Sequence, residues 1–265
     1  KLAALKEDLE RFNVRFDVWF SEKTLHEANK IKEACDRLLE KGYMYEQDGA
    51  LWLKSTAFGD DKDRVVIRDN GVPTYFAADI AYHANKFGRG FDRVINLWGA
   101  DHHGYIARMK AAMQCMGYQP EQLEILILQM VRLLRDGQEV KMSKRTGQSV
   151  TLNELIDEVG TDAARFFFVM RSIDSQLDFD LDLAKKKSND NPVFYVQYAH
   201  ARICSIMRQV AEAGITVQGK GDYKLLTEPV EEDLIKKLGE YPEMLATAAK
   251  ERAVQQVAHY VYDLA

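Results

Sequence analysis

The sequence predicts an α/β region followed by an all-helical one, and three observations carry that reading. Arg93–Trp98 and Leu123–Leu134 are apolar-rich runs of the kind found in covered parallel strands, and between them Ile106–Met116 has the spacing of a helix closed by Gly117. Beyond residue 150 such runs stop, and apolar residues recur at helical spacing through Thr151–Val159, Thr161–Met170 and Pro192–Val210. Between the two regimes the composition turns acidic over Asp178–Ala184 and basic over Lys185–Lys187, which puts a boundary near Asp180–Asn191.

In chain order, Leu2, Leu5, Leu9 and Phe12 make Lys1–Phe12 an amphipathic helix. Val14, Phe16, Val18 and Phe20 alternate with polar residues and predict a strand over Val14–Phe20. Ser21–Lys41 follows as one helix, capped by Ser21 and closed by Gly42. Tyr43–Lys54 is a hairpin across Asp48-Gly49, Ser55–Lys62 an exposed acidic loop, and Arg64–Arg68 a short strand. After the turn at Asn70-Gly71, Pro73 presets φ for the entry of a helix over Thr74–Phe87. The strand ending at Gly99 and the helix after it form half of a βαβ unit, in which ligands sit outside the carboxyl ends of the strands. Leu123–Leu134 reads as one strand that passes through Asp136-Gly137 to Val140–Gly147. Thr151 and Thr161 are candidate N-caps, with Glu154 completing a capping box. Gly214–Asp233 is a loop, and two further helices run from Leu234 to the end.

Composition narrows the classes. With 36 Lys and Arg against 41 Asp and Glu, the net charge is −5, so any nucleic-acid contact is local rather than spread over a basic surface. Cys35, Cys115 and Cys204 are three, widely spaced and form no Cys-x-x-Cys, which indicates neither a disulfide framework nor a structural zinc site, and fits a reducing cytoplasm. No run approaches the roughly 18 apolar residues of a membrane span. Lys1 is not an initiator Met, and the helical patterns at both ends are interrupted, which predicts a piece of a longer protein.

Four constellations bear chemistry. Val140–Gly147 gathers Lys141, Lys144 and Arg145 with Ser143 and Thr146 on a Gly-bounded segment, suited to an anion held transiently, such as a leaving pyrophosphate. A solvated basic turn is the plain alternative. In Trp98–Tyr105, Gly99 and Gly104 let a backbone approach a ligand closely, Asp101 at a strand end can accept from ribose hydroxyls, and His102 and His103 contact a nucleotide or merely cap the next helix. Adjacent histidines diverge, so a metal site is not indicated. Tyr75 and Asp79 stand at i and i+4 on one helix face, with Tyr82 and His83 a turn on; a carboxylate beside a phenol is a clamp for a planar guanidinium, or else a surface Asp beside a core Tyr. Tyr195, Tyr198 and Arg202 occupy neighbouring turns, where they stack on unpaired RNA bases or pack in a core.

Lys141-Met142-Ser143-Lys144 is the signature loop of class I aminoacyl-tRNA synthetases. Taken with Pro73–Tyr82, Leu97–Ala111 and Asn191–Arg202, in that order and spacing, it makes nearly the whole chain resemble bacterial arginyl-tRNA synthetases. The resemblance implies a partial Rossmann-like nucleotide-binding domain with the signature loop over 1–150, stem-contact helices over 151–187 and a truncated, all-helical anticodon-binding domain over 188–265. It implies ATP-dependent activation of L-arginine and transfer to tRNA(Arg), with Mg2+ carried by ATP and no structural metal, in a cytoplasmic, monomeric full-length enzyme. Tyr75, Asp79 and Asp101 would bind arginine; Gly99, Asp101, His102, His103, Lys141, Met142, Ser143 and Lys144 would bind ATP. Lys141 and Lys144 would be the catalytic groups, and Tyr195, Tyr198 and Arg202 would meet tRNA. The other class I signature, His-x-Gly-His, is missing, since none of His26, His83, His102, His103, His200 and His259 lies in one, so this stretch alone is expected to be inactive. The competing readings are a cysteinyl-type synthetase, which needs a Cys/His zinc site; a non-catalytic RNA-binding module derived from a synthetase; and a plain nucleotide-binding α/β domain.

Overall fold

The computed structural model describes residues 1–140, 150–216, 219 and 221–265. It divides into two compact units, one made of Phe16–Gln129 and the other of Lys1–Arg15 with Met130–Ala265. Helix α1 (Leu2–Arg11) opens the chain and belongs to the second of these.

The Phe16–Gln129 unit holds α2 (Lys23–Glu27), α3 (Lys30–Glu40), β1 (Met44–Gln47), β2 (Ala50–Leu53), β3 (Arg64–Ile67), α4 (Tyr75–Gly88), β4 (Val94–Gly99), α5 (Ile106–Met116) and β5 (Leu123–Leu128). Strands β1, β2 and β3 form an antiparallel meander. Its first turn is the predicted Asp48-Gly49, where both residues take positive φ, 52° and 73°, as a tight hairpin requires. Strands β4 and β5 pair in parallel from Val94↔Leu123 to Gly99↔Leu128, joined over α5, and this is the βαβ half-unit foreseen. The interior is built from Leu25, Leu38, Leu53, Val66, Ile80, Met109, Met113 and Leu123, so α3, α4 and α5 share one core with the strands.

Several expectations fail here for identifiable reasons. Val14–Phe20 is irregular, not a strand: alternation makes a strand only where an edge is available to pair, and Phe16 instead meets Trp19 while Phe20 stacks on Tyr82 at 4.7 Å. Ser21–Lys41 is two helices, because Asn29 adopts a left-handed φ of 55° between α2 and α3; the N-cap of α2 is Glu22, not Ser21. The supposedly exposed loop Ser55–Lys62 contains two of the buried polar side chains, Ser55 and Asp60. Arg64 grips Asp60 with two bonds, Nε at 2.7 Å and Nη2 at 2.8 Å, and Ser55 Oγ donates to the same carboxylate at 2.9 Å. Those bonds, led by Arg64, hold the Asp60 carboxyl well below the usual range despite its burial.

The second unit carries β6 (Val131–Arg135), β7 (Gln138–Glu139), α6 (Leu152–Val159), α7 (Thr161–Val169), β8 (Leu177–Asp180), α8 (Leu181–Lys185), α9 (Pro192–Glu212), α10 (Pro229–Gly239), α11 (Tyr241–Glu251) and α12 (Val254–Leu264). Leu123–Leu134 is thus two strands: β5 pairs with β4, whereas β6 pairs in parallel with β8 and turns back at Asp136-Gly137 to pair with β7. The acidic stretch Asp178–Ala184 begins within a strand, β8, of this unit's sheet. Leu133, Leu155, Ala164, Phe167, Phe179, Leu181 and Val193 form its core. Helix α1 is tied to it where Phe12 meets the Phe168 ring edge-on at 6.0 Å and Arg165 donates to the Phe12 carbonyl at 2.8 Å. Thr151 and Glu154 form the foreseen capping box of α6, but α7 is capped by Gly160, not Thr161. Buried Asn191 caps α9, accepting from Val193 N–H at 3.0 Å while its amide donates to the Ala184 and Lys186 carbonyls. The loop Gly214–Asp233 ends earlier than expected, as Pro229 starts α10.

The Asp60–Arg64 pair yields a stability prediction. Arg64→Leu leaves a carboxylate that is only 2% exposed without its cation, and the expected cost is about 3 kcal/mol. Urea unfolding followed by the fluorescence of Trp19, Trp52 and Trp98, all in this unit, measures it; a loss under about 1 kcal/mol contradicts the account.

Candidate functional site

Pro73 and Thr74 bring the chain into α4, and Thr74 Oγ1 donates to the Val65 and Val66 carbonyls of β3, so the start of the helix is fixed to the meander. Tyr75 then occupies the first helical position and is 84% exposed, and Asp79 follows one turn later, half-buried. The inward neighbours Phe76, Ala77, Ala78 and Ile80 are buried, which sets the rotation of the helix and so the direction of Tyr75 and Asp79.

Asp79 is held by a residue from another element. Tyr105 ends the 3-10 turn Ala100–Tyr105 that joins β4 to α5, and its hydroxyl donates to Asp79 Oδ2 at 2.8 Å. Burial raises the Asp79 carboxyl above its ordinary range, and the Tyr105 bond opposes that rise. Burial, then the Asp79 charge, push the Tyr105 phenol far upward, so it is a fixed donor.

A second polar chain runs beneath. His83 Nδ1–H donates to the Asp79 carbonyl at 2.7 Å, which leaves Nε2 to accept from Asn96 Nδ2 at 2.7 Å. Asn96, buried on β4, accepts in turn from Lys86 Nζ at 2.9 Å. Each member satisfies the next, and one imidazole tautomer is dictated. Burial pushes the His83 pKa down to about 4, and burial aided by the Arg89 charge brings Lys86 down to about 8. Lys86 also lies over the Tyr82 ring at 4.4 Å.

At the carboxyl end of β4, a Cβ on Gly99 would stand 2.7 Å from Asp101 Oδ1, so glycine is required for the side chain to fold back there. Asp101, His102 and His103 are exposed on the 3-10 turn, with His102 Nε2 3.7 Å from Asp101 Oδ2. The described unit thus brings Tyr75, Asp79, Gly99, Asp101, His102 and His103 onto α4 and the turn after β4, linked through Tyr105. Lys141, Met142, Ser143 and Lys144 lie outside the described residues. Among the described residues no cluster of three or more His, Cys, Asp or Glu is disposed to hold a metal, and no helix is long and apolar enough to cross a membrane.

The α9 residues part company. Tyr195 turns toward Tyr262 of α12, with centroids 5.2 Å apart, whereas Tyr198 is 49% exposed, stacks on Phe194 and carries the Arg202 guanidinium at 5.8 Å. A cavity of about 670 Å³ in the same unit is bordered by the start of α7 and by Lys185, Lys186 and Lys187, with Lys185 already paired to Glu158 at 3.0 Å. Tyr105, Asn96 and Lys86 carry no role in the sequence reading: nothing in spacing alone links Tyr105 to Asp79, 26 residues away.

Residues 2–173 match the family model described as tRNA synthetases class I (R), catalytic domain, and residues 196–265 match the DALR anticodon binding domain. The arginine–tRNA ligase of Desulfitobacterium hafniense is 57% identical over 268 residues, covering all of this chain and 48% of that protein, so the chain spans about half the length of the curated relatives it matches. An arginyl-tRNA synthetase structure from Campylobacter jejuni superposes with a TM-score of 0.86 at 37% identity, over 99% of this chain and 57% of that one. Thermus thermophilus arginyl-tRNA synthetase shares the fold, with a TM-score of 0.83 at 24% identity over 99% and 53%.

His83 gives a pH prediction. Its folded pKa of about 4 lies below the ordinary 6.5, so the unfolded chain takes up a proton at a pH where the folded one does not. The contribution is complete above pH 6.5 and drains as pH falls toward 4, by about 2 kcal/mol between pH 7 and 5. The unfolding free energies of the parent and His83→Gln should therefore converge by that amount over this interval; a difference independent of pH contradicts it.

Proposed function

The chain belongs to the class I tRNA synthetase (R) family, and from that premise we propose that it is part of an arginine–tRNA ligase, which joins L-arginine to ATP and passes the arginyl group to tRNA(Arg). The observation that carries the substrate is Asp79, a half-buried carboxylate on α4 whose Oδ2 is held by Tyr105 and which has the exposed Tyr75 one turn away. A planar guanidinium answers that pair, since it can give two parallel N–H bonds to a carboxylate and lay its face on a ring. Asp101 takes polar groups of the arginine or the nucleotide, and Gly99, His102 and His103 take the nucleotide at the carboxyl end of β4.

On this reading the arginine carboxylate attacks the α-phosphorus of MgATP and pyrophosphate leaves. Lys141 and Lys144, with Met142 and Ser143 on the same loop, offset the charge that develops on the leaving group. The terminal adenosine of tRNA(Arg) then attacks the activated carbonyl and AMP departs. Residues 1–150 supply the later part of the catalytic domain and 151–187 the stem-contact helices, a role supported by the lysine-bordered cavity beside α7. Residues 188–265 supply anticodon-binding helices, with Tyr198 and Arg202 presenting a ring and a cation to RNA. The full-length enzyme is taken to be a cytoplasmic monomer.

Asp79→Asn in the full-length enzyme tests the assignment: the arginine KM should rise roughly 100-fold while the ATP KM stays within about twofold, and equal loss of both would sink it. Lys144→Ala should instead lower kcat by about 100-fold or more with arginine affinity nearly intact; a defect confined to KM contradicts a transition-state role.

A further inference from the structure

We propose that Tyr105 is a positioning residue of the guanidinium site, fixing the plane of the Asp79 carboxylate and keeping it charged for the substrate. The proposal rests on the reading of Asp79 as the partner of the arginine side chain. A carboxylate turns easily about its last torsion, where the energy wells are broad, yet a guanidinium gives its two parallel bonds only to a carboxylate lying in its own plane. The Tyr105 hydroxyl, 2.8 Å from Oδ2, supplies the missing restraint and occupies one lone pair on one oxygen.

Tyr105 is itself immobilised. Its ring meets Phe76 edge-on at 5.9 Å and Trp98 at 5.8 Å, and the Arg108 guanidinium lies over it at 4.9 Å. Among the described residues Arg108 Nε is buried without a hydrogen-bond partner, and the guanidinium is seated against the Tyr105 ring. Because Tyr105 closes the turn that displays Asp101 to His103, it also ties that turn to α4.

The charge state follows the same contact. Burial, and after it Glu22, favour the protonated form of Asp79, while Tyr105, Lys86 from α4 and His102 from the turn favour the carboxylate; His83 meets Asp79 at its backbone carbonyl. Removing the hydroxyl moves the Asp79 carboxyl further upward, and arginine use then fails at a higher pH than in the parent.

Tyr105→Phe keeps the ring and removes only the hydroxyl. In aminoacylation by the full-length enzyme, the arginine KM should rise about tenfold with kcat within about twofold, and the acid limb of kcat/KM for arginine should move to higher pH. An unchanged KM with an unmoved acid limb overturns the proposal, as does a fall in kcat alone, which a purely structural tyrosine would give. Asp79→Asn, measured alongside, separates the two levels. If it cripples arginine use while Tyr105→Phe is silent, only the positioning role falls; if Asp79→Asn is harmless, the reading of Asp79 falls and this inference with it.

Discussion

Asp79 has lost part of its water, and the bond from Tyr105 at 2.8 Å is what replaces it. A desolvated carboxylate without such a donor drifts toward its neutral form, so much of the Phe16–Gln129 unit can be understood as the means of bringing that one hydroxyl to that one oxygen. The donor and acceptor come from different elements. Their meeting requires α4 to lie against the end of β4, which the core formed by Ile80, Met109, Met113 and Val94 secures. It requires as well that the chain after β4 tighten into a 3-10 turn before α5, so that Tyr105 points back while Asp101 to His103 point out.

The polar chain Lys86–Asn96–His83 reinforces the same junction from below. Buried polar groups are costly singly and tolerable when each has its partner, and here the amide of Asn96 resolves both ends, accepting from the ammonium and donating to the imidazole. Strand β4 and helix α4 are thereby registered by bonds as well as by apolar contact. Ser55, Asp60 and Arg64 do the equivalent for the loop between β2 and β3. In both places the polar contacts cross between segments, which apolar packing alone positions less uniquely.

The second unit obeys the same rules with different parts. Asn191 ties the start of α9 to the end of α8, and Tyr260 Oη reaches the Lys237 carbonyl at 2.8 Å to link α12 with α10. On α9 the inward ring, Tyr195, and the outward pair, Tyr198 and Arg202, separate according to which face α12 covers.

The local pattern of the sequence determined a good deal. Asp48-Gly49 and Asp136-Gly137 specify tight turns because their backbone demands are local, and Thr151 with Glu154 fixes the start of α6 for the same reason. The pairing of Tyr75 with Asp79 on one helix face follows from the 3.6-residue period. The family motifs fixed the class, and residues 2–173 belong to it. Tertiary structure decided whatever needed a partner distant in the chain. Val14–Phe20 had the alternation of a strand but no edge to join, and Leu123–Leu134 was divided because β4 claimed one half and β8 the other. Asp60 looked solvent-facing until Arg64 and Ser55 closed on it, and Tyr105 became the companion of Asp79 only when β4 and the turn after it brought the chain back beside α4, 26 residues on. Periodicity records which face of an element is apolar, but it holds no record of which other element will cover that face, and the bonds at Asp79 depend on that choice.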